Sequence, residues 1–341
     1  MKKILICLLL IPFKVLAFNS SAKAAILMDM DSKRILYANN INYVQSVASI
    51  SKIMTAICVI ENIDIEKRVV VGDEVLKAYG SGIYVQQGEK LKIKDLLYGL
   101  MMRSGNDAAI VLAKNVGGSV DGFVKIMNEK AKILGMKNTI FNNPSGLDEN
   151  DDGNLSSAYD MALLMSYAMK NKYFKKIVST KEYILKTNKN VYKWRNKNKL
   201  LYSYKYVTGG KTGYTKKAKR TLVTTASKNN LNLVVVTIND GNDFLDHTNL
   251  FEEAFDNYKN FLLLNKGNLS IPLENYYKDN NLYIKRKVTY PLTSNEENIL
   301  KLKFELNKVR NYKNNTKVGL VKVYFGDLVV RKENIYVKVK S

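Results

Sequence analysis

The order of its predicted elements makes this chain an α+β protein: one antiparallel sheet beside a helical cluster, followed by a small β-rich module. Three observations carry that expectation. Alternating apolar segments of strand type stand at both ends of the first 260 or so residues, the stretch between them repeats apolar residues at helical spacing, and after about Gly267 only short alternating segments remain. A length of 341 residues exceeds the usual size of a single hydrophobic core, so one large domain (18–265) and one smaller β-rich domain (266–341) are expected.

The elements follow in order. Lys2 and Lys3, an apolar run from Ile4 to Phe13 too short to span a membrane, and Val15-Leu16-Ala17 make residues 1–17 a signal peptide, which implies export. Ala24 to Met28 and Ile35 to Ala38 flank the turn-forming Asp31-Ser32-Lys33 as a hairpin. Ile53, Ile57 and Ile60 mark a helix after Ser49; Leu96, Leu97, Leu100 and Met101 mark another, broken at Ser104-Gly105-Asn106, where Asp107 opens the next. Helices over 123–134 and 158–169 enclose a polar loop, 142–154. After Trp194 strands return: 221–225 and 231–236 bracket Lys228-Asn229-Asn230. A closing helix is expected over 244–264, with Leu250, Phe251, Ala254, Phe255 and Tyr258 on one face.

The composition, 46% apolar and 25% charged, is that of a folded protein rather than a disordered or membrane-spanning one. Cleavage after Ala17 would remove Lys2, Lys3 and Lys14 and lower the net charge from +23 to +20, still strongly basic. The lysines are scattered, often beside Asn, without a nucleic-acid motif, so no nucleic-acid partner is expected; anionic lipid or wall polymers suit the same field. Cys7 lies in the signal and Cys58 in a buried helix, which leaves the mature chain without an internal disulfide and Cys58 as a small core residue.

Chemistry enters with Ser49-Ile50-Ser51-Lys52. Three residues apart on a helix start, the Lys52 amine reaches the Ser49 hydroxyl, and free N–H groups face an anion formed there. A serine hydroxyl is a poor nucleophile until a base takes its proton. Lysine serves only when neutral, and burial or a second cation lowers its pKa; Lys211 is the natural candidate for that cation. Ser-x-x-Lys alone occurs in many helices as cap and surface residue. Here it precedes Ser104-Gly105-Asn106 and Lys211-Thr212-Gly213, in the order that penicillin-binding proteins and class A β-lactamases carry these motifs.

On these motifs the chain resembles the low-molecular-mass penicillin-binding proteins, specifically the D-alanyl-D-alanine carboxypeptidases. The likeness runs over residues 23–258 and includes Leu96 to Ala109, Asn143 to Asp148, Tyr159 to Ala162, Asn196 to Leu201 and Gly209 to Thr215. Val47 replaces a proline common before Ala-Ser, and Lys219 stands where a glycine often follows Ala218. The resemblance implies a β-lactamase/transpeptidase-like first domain and removal of the terminal D-Ala from peptidoglycan stem pentapeptides, with no cofactor or metal and with β-lactam antibiotics as inhibitors. It also implies roles: Ser49 as acyl carrier, Lys52 as base, Ser104 as proton relay, Asn106 as a bond to the substrate peptide group, and Lys211 and Thr212 as holders of the terminal carboxylate. Beside Gly213, the N–H groups of Ser49 and Tyr214 would form the oxyanion hole.

Other readings are weaker. Gly210-Lys211-Thr212 lacks the first glycine of a phosphate-binding loop, whose place Lys205 takes. His247, the sole histidine, has no G-x-S-x-G elbow to complete and is expected on a helix surface; one histidine also speaks against a zinc carboxypeptidase. Two alternatives stay open: a serine β-lactamase, for which no motif supplies a deacylating Glu, and a catalytically weak wall-binding protein on the same fold. The closing pattern Val337 to Ser341 is strand-like rather than an amphipathic terminal anchor, so an exported, extracytoplasmic protein of the cell wall or periplasmic space is expected.

Overall fold

Strands β1 (Ala24–Asp29) and β2 (Ile35–Asn39) open the fold as the expected hairpin, with Asp29 Oδ2 accepting from the Ser32 N–H at 2.7 Å and the Ser32 hydroxyl at 2.6 Å in the turn. The computed structural model describes residues 18–148, 153–271, 276, 277 and 279–339. Residues 1–17, where a signal peptide is expected and which include Cys7, and the terminal Lys340-Ser341 lie outside the described residues.

The partner of β1 comes from the far end of the domain. β3 (Val207–Thr215), β4 (Lys219–Lys228) and β5 (Leu231–Ile238) follow the helical region, and β5 runs antiparallel to β1 from Ala24↔Ile238 to Asp29↔Leu233. The sheet order is β2-β1-β5-β4-β3, which leaves β3 at an edge. The β4–β5 turn places Asn229 and Asn230 at φ 51° and 62°, the left-handed pair a two-residue hairpin needs, and asparagine tolerates it.

Successive residues of a strand face opposite sides, and here both sides are covered. Ile26, Met28, Val234 and Val236 join the large core with helices α1 (Lys52–Asn62), α2 (Ile93–Tyr98), α3 (Asn106–Gly117), α4 (Val120–Ile133), α5 (Ala158–Ala168) and α6 (Lys172–Ser179). Leu27, Leu233 and Val235 pack on the other face against Leu250, Phe251 and Ala254 of α7 (Asp243–Asn257). Every α1 residue from Lys52 to Val59 is buried, so α1 is the central post of the helical cluster. Cys58 is among them, and burial pushes its thiol up to about 12, in keeping with a core role.

Two stretches differ from expectation. The closing helix stops at Asn257, whose amide turns back to Glu253 O at 2.7 Å, and Lys259–Leu264 is a strand paired with Val288–Leu292. The run Phe261 to Leu264 is apolar at every position, so its period cannot distinguish helix from strand. A hairpin, Glu182–Lys186 with Val191–Arg195, also precedes the point where strands were expected to resume; it carries little burial to reveal its alternation.

The β-rich module forms a second sheet in the order Gly267–Asn268, Asn281–Ile284, Leu328–Lys338, Lys317–Phe325, Leu300–Leu306, around Ile284, Val288, Val321, Val323 and Ile335. Arg34, in the β1–β2 turn, reaches into it. Its guanidinium bonds Pro291 O and Glu296 Oε1, both at 2.5 Å, and lies 4.9 to 5.3 Å from the ring centres of Tyr258, Tyr290 and Phe325.

Candidate active site

Ser49 sits in a single 3-10 turn, Ala48–Ser51, that runs directly into α1. Ala48 is buried at φ 51°, a conformation that costs an L-residue energy and persists where the surroundings impose it. Those surroundings are visible: Thr221 of β4 donates to Val47 O at 3.0 Å, and Ser51 Oγ donates to Ala48 O at 2.8 Å. Lys52 opens α1 one turn after Ser49, and its Nζ lies 3.0 Å from Ser49 Oγ.

The remaining contacts of Lys52 decide what that approach means. Nζ also meets Asn106 Oδ1 at 2.7 Å and the Ser145 carbonyl oxygen, both of which only accept. A neutral amine has two N–H bonds and one lone pair. The three contacts suit either form: the ammonium donates to all three oxygens, and the neutral amine, donating to the two carbonyls, would keep its lone pair for the Ser49 hydroxyl. Burial, helped by the Lys197 charge and opposed by Asp107, lowers the Lys52 pKa to about 7. The cation acting on Lys52 is thus Lys197; Lys211, expected in that part, is itself held well below the usual lysine value by burial and by the charges of Lys52 and Lys197.

The Ser104-Gly105-Asn106 turn links a π-helical turn, Gly99–Arg103, to α3. Ser104 takes φ 66°, ψ 34°, and its Oγ accepts from Lys211 Nζ at 3.1 Å. Asn106 is held at both ends: its Nδ2 donates to Tyr79 O at 2.7 Å, which turns Oδ1 toward Lys52, and its backbone N–H donates to Ser81 O at 2.7 Å. Its amide therefore orients Lys52. Asp107 holds the same 79–85 segment by accepting from the N–H groups of Ile83 and Tyr84 at 3.0 and 2.6 Å.

Edge strand β3 closes the other side. Lys211 is buried, with Nζ bonded to Ser104 Oγ and to Thr212 O at 2.6 Å. Gly213 is required by proximity, since a Cβ there would stand 2.4 Å from Thr221 Oγ1 and 3.0 Å from Ser49 N. Tyr214 is 65% exposed at the rim. Ser49, Ser104, Thr212, Gly213 and Tyr214 line one cavity of about 310 Å³ with Ser81, Lys197, Lys199, Arg220, Asp243 and Phe244. Arg220 Nη2 bonds Asp243 Oδ1 at 2.6 Å.

Several of these residues have no role that the sequence alone assigns. The Asn143 to Asp148 loop contributes a backbone carbonyl to Lys52, and its Gly146, at φ 78°, lies so close that a Cβ would come within 2.1 Å of Ala48 O. Asp148 joins three segments by accepting from Ser46 Oγ and Thr215 Oγ1. Lys197 and Lys199 fall in the 196–201 stretch that carries the resemblance, but their place in the cavity, like that of Arg220, comes from the fold. His247 is buried rather than on a surface: its ring nitrogens meet Thr224 Oγ1 at 2.6 Å and Thr237 Oγ1 at 3.1 Å, and burial lowers its pKa to about 3. Of the two departures from the family motifs, the first has a local explanation and nothing in the structure explains the second. The Val47 N–H donates to Asn154 O at 3.0 Å, a bond proline would lack, and Lys219 adopts φ 58°, where glycine is relaxed.

Residues 13–242 match the model of the D-alanyl-D-alanine carboxypeptidase family, and residues 258–340 match that of the penicillin-binding protein 5 C-terminal domain. D-alanyl-D-alanine carboxypeptidase DacF of Bacillus subtilis is 39% identical over 221 residues, 63% of this chain and 56% of that protein, so the chain spans little more than half of that relative's length. D-alanyl-D-alanine carboxypeptidase DacA of Haemophilus influenzae is 32% identical over 284 residues, 76% of this chain and 68% of that protein. The crystal structure of penicillin binding protein 5 from Haemophilus influenzae superposes with a TM-score of 0.78 at 26% identity, covering 94% of this chain and 98% of that one.

Proposed function

The chain belongs to the D-alanyl-D-alanine carboxypeptidase family, and from that premise we propose that it is a serine-type carboxypeptidase that releases the terminal D-alanine of peptidoglycan stem pentapeptides through an acyl-enzyme on Ser49, the residue that penicillins also acylate. The observation that carries this reading is the contact of Lys52 Nζ with Ser49 Oγ at 3.0 Å, made by an amine whose pKa burial lowers to about 7.

In this reading Ser49 Oγ attacks the carbonyl carbon of the penultimate D-alanine while its proton passes to Lys52. The negative oxygen that forms is met by the N–H groups of Ser49 and Tyr214, each donor worth about 3 kcal/mol to such a transition state. Ser104, held by Lys211 Nζ at 3.1 Å, relays the proton taken up by Lys52 to the departing amine, so that the C–N bond breaks and Lys52 returns to its neutral form. Water then hydrolyses the Ser49 ester to release the shortened peptide. Thr212 and the Arg220 guanidinium line the cavity and give the leaving D-alanine carboxylate a seat, with Lys211 buried beside them and bonded to Thr212 O. Asn106 acts first on Lys52, with its Oδ1 directed there.

We assign residues 18–265 to this chemistry and 266–341 to a separate β-rich domain, with 1–17 as an export signal. Work outside the cytoplasm follows from the substrate, which is a wall polymer, and a net charge of +23, or +20 without residues 1–17, suits electrostatic retention by anionic wall polymers. The test is incubation with a peptide ending in D-Ala-D-Ala and with a labelled penicillin, beside a Ser49→Ala variant. Wild type releases D-alanine and keeps the label for many turnover times; the variant does neither. Rapid turnover of penicillin would instead mark a β-lactamase, and equal release by both proteins would overturn the reading.

A further inference from the structure

The cavity wall carries more positive charge than one terminal carboxylate neutralises. Lys197, Lys199 and Arg220 line it, and its single acid, Asp243, is engaged by Arg220 at 2.6 Å. Among the described residues Lys197 and Lys199 meet no carboxylate, and the nearest polar side-chain partner of Lys197 is Ser81 Oγ, at 3.4 Å. The arrangement gathers like charges: Lys197 stands near Arg103, and its charge is felt at both Lys52 and Lys211.

The segment that presents the two lysines is built rather than loose. Asn196 and Asn198 alternate with them and are 7% and 1% exposed. Asn196 Nδ2 donates to Thr180 O at 2.9 Å, Asn196 Oδ1 accepts from the Asn198 N–H at 3.0 Å, and Asn198 Oδ1 accepts from the Leu200 N–H at 3.2 Å. The Lys197 N–H is tied to Met102 O at 3.1 Å, next to the Ser104 turn. The inward asparagines hold the backbone, and Lys197 and Lys199, which alternate with them, line the cavity and meet no carboxylate among the described residues.

We infer that Lys197 and Lys199 form a second anion subsite, which takes a further free carboxylate on the acyl portion of the substrate, within a residue or two of the scissile bond. The inference rests on the carboxypeptidase reading and adds a substrate class to it: stem peptides that keep a side-chain or branch carboxylate beside D-Ala-D-Ala, in preference to the same peptides with that group amidated. Such a carboxylate would gain charge-assisted hydrogen bonds from two ammonium groups whose backbone segment is fixed at the cavity wall. Lys199 is the cleaner residue to test, because the charge of Lys197 also adds to the effect of burial on Lys52.

The experiment uses two synthetic peptides ending in D-Ala-D-Ala that differ only in whether the preceding residue bears a free side-chain carboxylate or its carboxamide. Release of D-alanine gives kcat and KM for wild type, Lys199→Gln and Lys199→Glu, and penicillin labelling of each protein reports an intact serine site. Wild type is expected to favour the carboxylate peptide by about tenfold in kcat/KM, mainly through KM, and to lose much of that preference at high salt. Lys199→Gln lowers the ratio, and Lys199→Glu brings it to one or below. A wild-type ratio near one, or a ratio indifferent to Lys199→Glu, overturns the subsite. Failure of the underlying reading looks different, since wild type would then release D-alanine from neither peptide.

Discussion

Replacing Lys52 with methionine tests the electrostatics of the site through stability as well as catalysis. In the folded chain burial lowers the Lys52 pKa to about 7, whereas the unfolded chain has the ordinary value near 10.5. Between these values the unfolded state binds the extra proton, so stability rises with pH across that window. The penalty is fully present below pH 7 and fades toward pH 10.5. Relative to a variant without the amine, wild type should gain about 2 kcal/mol between pH 7 and pH 9 from this group alone. The absolute difference at pH 7 is smaller than the penalty suggests, because methionine leaves the Ser145 carbonyl and Asn106 Oδ1 without their donor, at about 1–3 kcal/mol each. The assay is urea unfolding of both proteins from pH 6 to pH 9, with equal m-values required before the free energies are subtracted. Penicillin acylation of wild type should rise over the same range to a plateau and be absent in Lys52→Met. Parallel stability curves would mean that Lys52 keeps an ordinary pKa in the fold, and the assignment of Lys52 as base would then fail.

Other expected outcomes follow from local geometry. Gly146→Ala forces a Cβ against Ala48 O and Ser51 Oγ at φ 78°, so folding stability should fall by about 3 kcal/mol or more, with penicillin acylation lost where the fold survives; calorimetry and labelling read the two effects. Lys219→Gly relieves a left-handed residue in the β3–β4 turn and should raise stability by roughly 0.5–1 kcal/mol after the added entropy of glycine, measured by urea midpoint; a drop would mean that the lysine side chain matters there. Arg34→Ala removes the bonds to Pro291 O and Glu296 and the ring contacts at the second sheet, so limited proteolysis should cut more readily between the two sheets while penicillin labelling persists. Unchanged proteolysis would place the holding contacts elsewhere.

How far the sequence reveals this protein depends on the range of the interactions involved. Hairpins with asparagine or aspartate turns, helices with a clear apolar period, and the Ser49–Lys52 spacing are local, and the structure has them as expected. The uniformly apolar 261–264 run and the exposed 182–195 hairpin lack a distinguishing period, and their partners decide their state. The site shows the same division. Motif order singles out Ser49, Lys52, Ser104 and Lys211, and the resemblance over Asn196 to Leu201 takes in Lys197, but nothing in that stretch says that the charge of Lys197 reaches Lys52. A backbone carbonyl such as that of Ser145 has no sequence signature at all. Asn106 was expected to meet substrate, and only the positions of Tyr79 O and Lys52 Nζ reveal that both ends of its amide are engaged.

The central claim, an acyl-enzyme on Ser49, is tested most directly by mass spectrometry of the intact protein after reaction with penicillin, followed by proteolysis to locate the adduct. The expected result is one added penicillin mass on the peptide that contains Ser49, with no adduct in Ser49→Ala. An adduct on any other residue, or one that persists in Ser49→Ala, would contradict it.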